Sequence, residues 1–263
     1  MNSISPNLNI MIKASEKASK ALIRDFGEIE KLQVSVKGPS DFVSNADTRA
    51  EKIIIEELIK SKKNYSIISE EAGFIKNKDL DNVWIIDPID GTLNFLHGIP
   101  HFAISVALEK SNEILCGVIF DPIKDEMFIA EKNEGAYLNR QKIRVSKRKK
   151  IKDSLVLTGG PSFNLKNRDE AFNEYLKISN SVTAPLRKLG SAALDMAYIA
   201  AGRADSYFQR NLSYWDIAAG IIIVKEAGGL IFDYDGKSDF VSKKNIIVSN
   251  PYINADVIEL LSK

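Results

Sequence analysis

The sequence predicts a mixed α/β fold in which helices alternate with strands along its 263 residues. Three observations support this prediction. Apolar residues recur at three- and four-residue spacing in several segments, which is typical of amphipathic helices. Other apolar runs have the length of strands, and four of them follow one another between short turns. No repeat interrupts the alternation, so we expect one large domain whose halves are residues 1–150 and 151–263.

The predicted N-terminal elements are two helices joined by a polar connector. Regular apolar spacing predicts a helix over about 7–32. Residues 34–47 contain Gly-Pro punctuation, which predicts a mobile loop. A second helix is predicted over 48–62, and a short strand follows at 65–69.

The segment that organises the prediction is an apolar run at 83–86 that leads into Asp87-Pro88-Ile89-Asp90-Gly91-Thr92. Such a run fits a strand buried on both faces, and Pro88 lacks the N–H that a central strand uses, so we expect the strand to stop near Asp87. Gly91 permits a tight turn, and Thr92 is expected to cap a helical turn whose N–H groups face an anion. Ligands for a cation and for a phosphate are thus predicted to meet here.

The acidic residues allow two interpretations. Asp87 and Asp90 occur where turn and cap residues are common, and Glu70 at a strand end is often solvated surface. The recurrence of acids at such places, including Asp216 at a predicted helix start, favours a site. Two charges 4 Å apart repel by roughly 4 kcal/mol at an effective dielectric of 20, so a cluster requires protons or a cation. Ligands that are all oxygen favour magnesium.

Helix capping is an alternative role for two of these acids. Thr48 and Glu51 have the spacing of a capping box, so Asp47 is interpreted either as part of a helix start or as part of the site. Ser213 and Asp216 have the same spacing, which leaves the same two interpretations for Asp216.

The remainder of the chain is predicted to contain an antiparallel meander followed by further helices and strands. The predicted strands are 102–109, 113–121, 126–130, 136–138, 155–158, 204–209, 230–234 and 245–248. The predicted helices are 168–179, 191–202, 217–227 and a last one from about 254. His97 and His101 flank Gly98 and Pro100, so they are expected to be loop histidines rather than a zinc pair.

Composition and charge limit the partners. Lysine and arginine number 36 against 35 acidic residues, and this net charge of +1 gives no general attraction to nucleic acid or membranes. The basic run 146–150 is interpreted as solvated surface or as a local phosphate-binding patch. Cys116 is expected to be a buried strand thiol. Without a signal peptide or a long apolar run, the protein is expected to be cytoplasmic.

Three motifs resemble the inositol monophosphatase family. They are Glu70-Glu71, the segment from Trp84 to Phe95, and Trp215-Asp216-Ile217-Ala218-Ala219 with Glu226-Ala227-Gly228-Gly229. Their agreement in order, spacing and residue type over nearly the whole chain makes the resemblance specific. It implies an alternating α-β-α-β-α sandwich of the sugar-phosphatase type, usually a homodimer. It also implies a lithium-sensitive phosphoric monoester hydrolase that uses two to three Mg²⁺ ions.

The resemblance implies a role for individual residues. The implied metal ligands are Glu70, Asp87, Asp90, Asp216 and the carbonyl of Ile89. The implied catalytic residues around the attacking water are Thr92, Asp47 and Glu70. The implied substrate-binding residues are Lys37, Asp90, Gly91, Thr92, Ser191, Ala192, Gln209 and Asp216.

Gln209 departs from the family pattern, because inositol-cleaving members carry a glutamate there. An amide replaces a charged hydrogen bond with a neutral one, so the identity of the substrate is left open. The candidates are inositol monophosphate, adenosine 3',5'-bisphosphate, fructose 1,6-bisphosphate or another sugar phosphate. A different class of function is a transcription accessory that contacts RNA polymerase or RNA, as in some bacterial members. The intact acidic set favours catalysis.

Overall fold

The computed structural model describes residues 4–28, 34–38, 41–160 and 168–262, with the backbone alone over the strands 34–38 and 41–44. The helices in these ranges are α1 (Pro6–Phe26), α2 (Asn45–Ser61), α3 (Thr92–Leu96), α4 (Arg168–Ser181), α5 (Ala192–Ala200), α6 (Tyr214–Glu226), α7 (Phe240–Lys243) and α8 (Asn254–Leu261). The strands are β1 (Val34–Gly38), β2 (Asp41–Ser44), β3 (Tyr65–Ser69), β4 (Gly73–Ile75), β5 (Asp79–Asp90), β6 (Ala103–Lys110), β7 (Glu113–Asp121), β8 (Glu126–Glu131), β9 (Gly135–Leu138), β10 (Gln141–Lys142), β11 (Val156–Thr158), β12 (Ser206–Arg210), β13 (Leu230–Phe232) and β14 (Asn245–Ser249).

The strands form two principal sheets. The large sheet has the order β10-β9-β8-β7-β6-β5-β3-β4, in which β3 and β5 pair in parallel and the other neighbours are antiparallel. The smaller sheet has the order β11-β12-β14-β13, with β11 and β12 parallel. The antiparallel pairs β6–β7, β7–β8 and β8–β9 confirm the predicted meander.

Helices cover and separate the two sheets, which gives five layers in the order α-β-α-β-α. Helices α1 and α2 pack on one face of the large sheet, where Trp84 and Ile86 of β5 lie in the same core. The alternate residues Val83 and Ile85 belong to the core around α5 and α6, as the two-residue period of a strand requires. Helices α4 and α8 border a third core on the small sheet. The predicted layered fold is confirmed.

The close contact between α6 and the large sheet depends on a glycine. A Cβ atom at Gly117 would lie 2.8 Å from the carbonyl oxygen of Ala219, so a larger residue would push the helix away. Its neighbour Cys116 lies in the opposite core with Sγ 3.4 Å from Met11 Sδ. Burial raises the pKa of the Cys116 thiol to about 12, and the prediction of a buried strand thiol is confirmed.

Two predictions for the N-terminal region need correction. Helix α1 is shorter than expected: it ends at Phe26, and Gly27 and Glu28 form a turn. The predicted helical residues 29–32 lie outside the described part of the chain. The loop expected over 34–47 is wrong in the described residues, because β1 and β2 are antiparallel paired strands and α2 begins at Asn45. In the described ranges, no helix has the length and hydropathy needed to cross a membrane.

Candidate metal centre

The central strand β5 carries two predicted ligands past its proline. Its pairing with β3 ends at Ile86, whereas its pairing with β6 continues from Asp87 to Asp90 across a register irregularity. Pro88 therefore lies in a bulge beside one neighbouring strand, where a missing N–H is tolerated. The prediction that the strand stops near Asp87 is wrong, because the strand ends at Asp90.

A sharp turn joins β5 to α3. Gly91 has a φ of 100°, and a Cβ atom there would lie 3.1 Å from the carbonyl oxygen of His101, so the position requires glycine. Gly91 is also the N-cap of α3 and supplies no capping side chain, so the capping role predicted for Thr92 is wrong. Thr92 is instead the first residue of α3, and its Oγ1 donates to the Ile89 carbonyl oxygen at 2.9 Å.

Asp216 reaches the same place from the second half of the chain. It lies in the first turn of α6, where its Oδ2 accepts the N–H of Ser213 at 2.7 Å. Asp87, Asp90 and Asp216 each present a carboxylate oxygen, and these oxygens lie within 4.8 Å of one another. Asp216 therefore caps α6, as one interpretation holds, and its carboxylate also lies in the acidic group.

The acidic group is electrostatically costly without a cation. Asp87 is buried, and its burial raises the pKa of this carboxyl well above its ordinary value. The charges of Glu70, Asp90, Asp216 and Asp47 raise the pKa of Asp87 further. Burial and then the charge of Asp90 also raise the pKa of Asp216 well above its ordinary value. A bound cation would relieve this repulsion.

The N-terminus of α5 holds Asp90. Its Oδ2 accepts hydrogen bonds from the Ser191 hydroxyl and from the N–H of Ala193, the latter at 2.7 Å. Ser191, where the predicted helix starts, is the N-cap of α5, and its Oγ accepts the N–H of Leu194. Burial raises the pKa of Asp90 to about 6, while hydrogen bonds from Ser191, Ala193 and the N–H of Ala192 oppose the rise.

Glu70 and Asp47 border the three-aspartate group. Both act on the pKa of Asp87 through their charge, although neither belongs to the compact group of three. Glu70 is half-buried after β3, and Asp47 is buried in the first turn of α2. Lys37 lies on β1, but its side chain is outside the described part of the structure.

Glu51 has a role that the sequence analysis missed. Its Oε2 accepts the N–H of Glu71 at 2.9 Å and the hydroxyl of Ser69, so α2 supports the turn that carries Glu70. The capping box predicted for Thr48 and Glu51 is wrong, because α2 begins before Thr48 and Glu51 is committed to this turn.

Two further polar residues near the site were also missed. Nδ2 of Asn94 donates to the carbonyl oxygens of His101 and Leu189, each at 2.8 Å, and ties α3 to the turn before α5. Asp195 of α5 is 1% exposed, and burial followed by the charge of Asp90 raises its pKa well above its ordinary value. No local sequence pattern indicates that Asn94 binds Leu189 or that Asp195 interacts with Asp90, because the two residues of each pair lie about 100 positions apart in the chain.

Gln209 is half-buried near the end of β12, and its Oε1 accepts the hydroxyl of Tyr207 at 2.6 Å.

The predicted loop histidine His101 packs edge-on against the ring of Tyr198. Burial lowers the pKa of His101 to about 4, so it is neutral at pH 7.

The donor set of this site fits a hard divalent cation. The three clustered carboxylates offer oxygen atoms, and oxygen is the ligand that Mg²⁺ and Ca²⁺ prefer. The Ile89 carbonyl is close by, because it accepts from Thr92 at the same turn. The arrangement can therefore concentrate positive charge beside the N-terminus of α3, where an anionic ester would be attracted.

Known proteins resemble this chain over nearly its whole length. The sequence profile of the inositol monophosphatase family matches residues 4–263. Inositol-1-monophosphatase of Rhizobium meliloti (strain 1021) is 46% identical over 256 residues, which cover 97% of this chain and 96% of that protein. Nus factor SuhB of Pasteurella multocida (strain Pm70) is 38% identical over 262 residues, covering 99% and 96%.

The fold comparison agrees. The crystal structure of the extragenic suppressor protein suhB from Bartonella henselae matches with a TM-score of 0.95 and 45% identity, covering 98% of this chain and 99% of that one. The resemblance seen in the motifs, and with it the prediction of an inositol-monophosphatase-like enzyme, is confirmed: the chain belongs to the inositol monophosphatase family.

Proposed function

We propose that this protein is a magnesium-dependent phosphomonoesterase that hydrolyses inositol monophosphate or a related small sugar phosphate. The observation that carries the proposal is the group of Asp87, Asp90 and Asp216, whose oxygens lie within 4.8 Å of one another beside the N-terminus of α3. The name of the Rhizobium meliloti relative supports an inositol phosphate as the substrate.

Five groups would hold two to three Mg²⁺ ions in this proposal: Glu70, Asp87, Asp90, Asp216 and the carbonyl of Ile89. Bound Mg²⁺ would lower the pKa of a water molecule and neutralise charge on the phosphoryl oxygens. Glu51 keeps the turn at Glu70 in place, and Ser191 does the same for Asp90.

Thr92 and Asp47 are proposed to orient the attacking water. Thr92 directs its hydroxyl proton to the Ile89 carbonyl, so its Oγ1 lone pairs are available to accept a hydrogen bond from water. Asp47 is the proposed acceptor for the other proton. The N–H groups of Gly91 and Thr92 contact the phosphate, with Lys37 at its rim. As the water oxygen bonds to phosphorus, the water gives up a proton and the ester P–O bond breaks, and the leaving alkoxide takes up a proton from solvent and departs as the alcohol.

The alcohol side of the substrate is proposed to contact Ser191, Ala192 and Gln209, together with Asp90 and Asp216. These residues come from both the 1–150 and 151–263 halves, so we propose that the halves act as one domain with one site. We further propose that the protein is a homodimer, as the family resemblance implies.

A substrate panel tests the proposed function. Phosphate release is measured from inositol 1-phosphate, fructose 1,6-bisphosphate, adenosine 3',5'-bisphosphate and p-nitrophenyl phosphate, with Mg²⁺ or with EDTA. We expect Mg²⁺-dependent hydrolysis that EDTA abolishes, fastest for one of the biological esters. Absence of hydrolysis from every ester with Mg²⁺ would overturn the proposal.

The name of the Pasteurella multocida relative favours a second candidate function in transcription. All four basic residues of the run are exposed. Arg148 Nε lies 2.9 Å from Asp205 Oδ2 and Lys149 lies over the ring of Tyr252, whereas the side chains of Lys147 and Lys150 make no ion pair or ring contact with a described residue. We therefore propose Lys147 and Lys150 as the residues that would contact RNA or an RNA-polymerase assembly. Purified protein with both lysines changed to glutamine should bind labelled ribosomal leader RNA more weakly than the wild type. Equal binding would remove this candidate.

A further inference from the structure

Strand β12 carries two polar residues on the face that packs in the core around α5 and α6. Tyr207 and Gln209 share one face of the strand, because side chains two residues apart point the same way. Tyr207 is fully buried in the core around α5 and α6, whereas Phe208 belongs to the core on the opposite face. That core also contains Ala193, whose N–H binds Asp90, and Ile217, which follows Asp216 in α6.

The hydrogen bond between these residues fixes the orientation of the Gln209 amide. The Tyr207 hydroxyl donates to Gln209 Oε1 at 2.6 Å. Burial, reinforced by the neighbouring carboxylates, raises the pKa of Tyr207 well above its ordinary value, so the phenol keeps its proton and remains a donor. One lone pair of the amide oxygen is used by this bond, and the bond turns the amide nitrogen away from Tyr207.

Gly159 supplies the space in which the amide lies. A Cβ atom at Gly159 would lie 1.9 Å from Gln209 Oε1 and 2.7 Å from Nε2, so any side chain there would displace the amide. No described residue accepts a hydrogen bond from Nε2. Gln209 therefore offers two N–H donors from a fixed position.

We propose that Tyr207 and Gly159 position Gln209 as a hydrogen-bond donor, so that the enzyme accepts phosphate monoesters whose alcohol portion carries an oxygen that can only accept, such as a carboxylate. This inference rests on the proposed function, because Gln209 meets a substrate only if the acidic group binds the ester. Tyr207 and Gly159 are positioning residues, since they act through Gln209.

A matched substrate pair tests the inference. In 3-phosphoglycerate a carboxylate replaces the terminal hydroxymethyl group of glycerol 3-phosphate. The kcat/KM for 3-phosphoglycerate divided by the kcat/KM for glycerol 3-phosphate therefore measures the preference for an oxygen that can only accept. Gln209→Glu replaces the donor with a negative charge and should lower this ratio about tenfold or more. Tyr207→Phe releases the amide and should lower the ratio about two- to fivefold. Tyr137→Phe, which removes the hydroxyl of a buried tyrosine in the core on the other face of the large sheet, should leave it unchanged.

The outcomes separate this inference from the proposed function. An unchanged ratio in Tyr207→Phe, or equal effects of Gln209→Glu on both substrates, overturns the inference while hydrolysis itself stands. If the wild type hydrolyses none of the esters in the presence of Mg²⁺, p-nitrophenyl phosphate included, both the inference and the proposed function are overturned. If thermal melting shows that Tyr207→Phe does not fold, Gly159→Ala replaces it. Its Cβ displaces the amide and should lower the ratio in the same direction, and an unchanged ratio would again overturn the inference.

Discussion

The Thr92 hydroxyl has one proton, which it donates to the Ile89 carbonyl. Thr92→Ala removes this donor and, in our proposal, the group that accepts from the attacking water. We expect kcat to fall about 100-fold, the usual scale for a group that positions a transferring proton. Thr92→Ser should keep most of the activity because it keeps the hydroxyl. The kcat of each variant is measured across a Mg²⁺ titration. Full rescue of Thr92→Ala by extra Mg²⁺ would show that the threonine only supports a ligand.

Glu51 acts on the site through the turn that carries Glu70. Glu51→Ala leaves the N–H of Glu71 without its carboxylate acceptor, so we expect a loss of about 1–3 kcal/mol in the free energy of unfolding. The apparent Mg²⁺ affinity should weaken as well, because the proposed ligand Glu70 is then less well held. Urea denaturation and calorimetric Mg²⁺ titration test both effects. Glu56→Ala, an exposed position on the same helix, is the control and should change neither.

Single residues were predictable where their role is local and not where it is distant. Asp87, Asp90 and Asp216 stand beside a proline, a glycine and a capping serine, so their surroundings are visible in the sequence. Glu51 carries only the capping-box spacing with Thr48, which indicates a different role, and Asn94 carries no such signal. Their partners lie 20 and 95 residues away, and only the folded chain brings them together.

Helix α3 and the turn before α5 are held together by one amide. Asn94→Leu removes both hydrogen bonds of Nδ2, and Asn94→Asp points an acceptor at two carbonyl oxygens. We expect each variant to lose about 2 kcal/mol or more in the free energy of unfolding, with Asn94→Asp the less stable. Chemical denaturation measures this loss. Asn112→Asp, in an exposed turn, is the matched control. Wild-type stability in both Asn94 variants would show that this connection is dispensable.

The errors in element prediction have two physical causes. Strand β5 continues past Pro88 because its pairing with β3 has already ended and a bulge accommodates the missing N–H. That arrangement depends on strand order, which local sequence does not contain. The Gly-Pro punctuation of the connector predicts a loop, but such residues also occur between paired strands, and β1 and β2 pair antiparallel. The meander was predictable because each of its strands has a clear apolar run and a turn.

At the scale of the whole molecule, the acidic group makes metal-free stability depend on pH. Asp90 has a pKa raised from 3.8 to about 6, so the folded protein retains a proton that the unfolded chain releases. The stabilising contribution of this proton is complete below pH 3.8 and is lost as the pH rises through about 6. By linkage, the loss is on the order of 3 kcal/mol. Asp87 and Asp216 shift in the same direction.

Urea denaturation in EDTA between pH 4 and 7 measures this dependence. The difference in unfolding free energy between the wild type and Asp90→Asn isolates the contribution of Asp90, because other carboxylates titrate in both proteins. We expect the wild type to lose stability relative to Asp90→Asn as the pH rises, and saturating Mg²⁺ to restore it. A pH-independent difference would mean that Asp90 is not held in its protonated form.

The layered architecture was predictable as a whole because three separated motifs resemble one family, whereas helix and strand patterns alone indicate only a mixed fold. Residues of both halves meet in the core around α5 and α6, so the site depends on the entire arrangement of layers. The identity of the alcohol was not predictable. It depends on the orientation of groups such as the Gln209 amide, which spacing along the chain does not reveal.

The most direct test of the central claim is Mg²⁺-dependent phosphate release by Asp90→Asn and Asp216→Asn. Each change removes one charge from the three-aspartate group while preserving the size of the side chain. We expect activity at saturating Mg²⁺ to fall at least about 100-fold. Circular dichroism should show an intact fold, and metal-free stability at pH 7 should equal or exceed that of the wild type, because repulsion is relieved. Wild-type Mg²⁺-dependent activity in either folded variant would contradict the assignment of this group as the catalytic metal site.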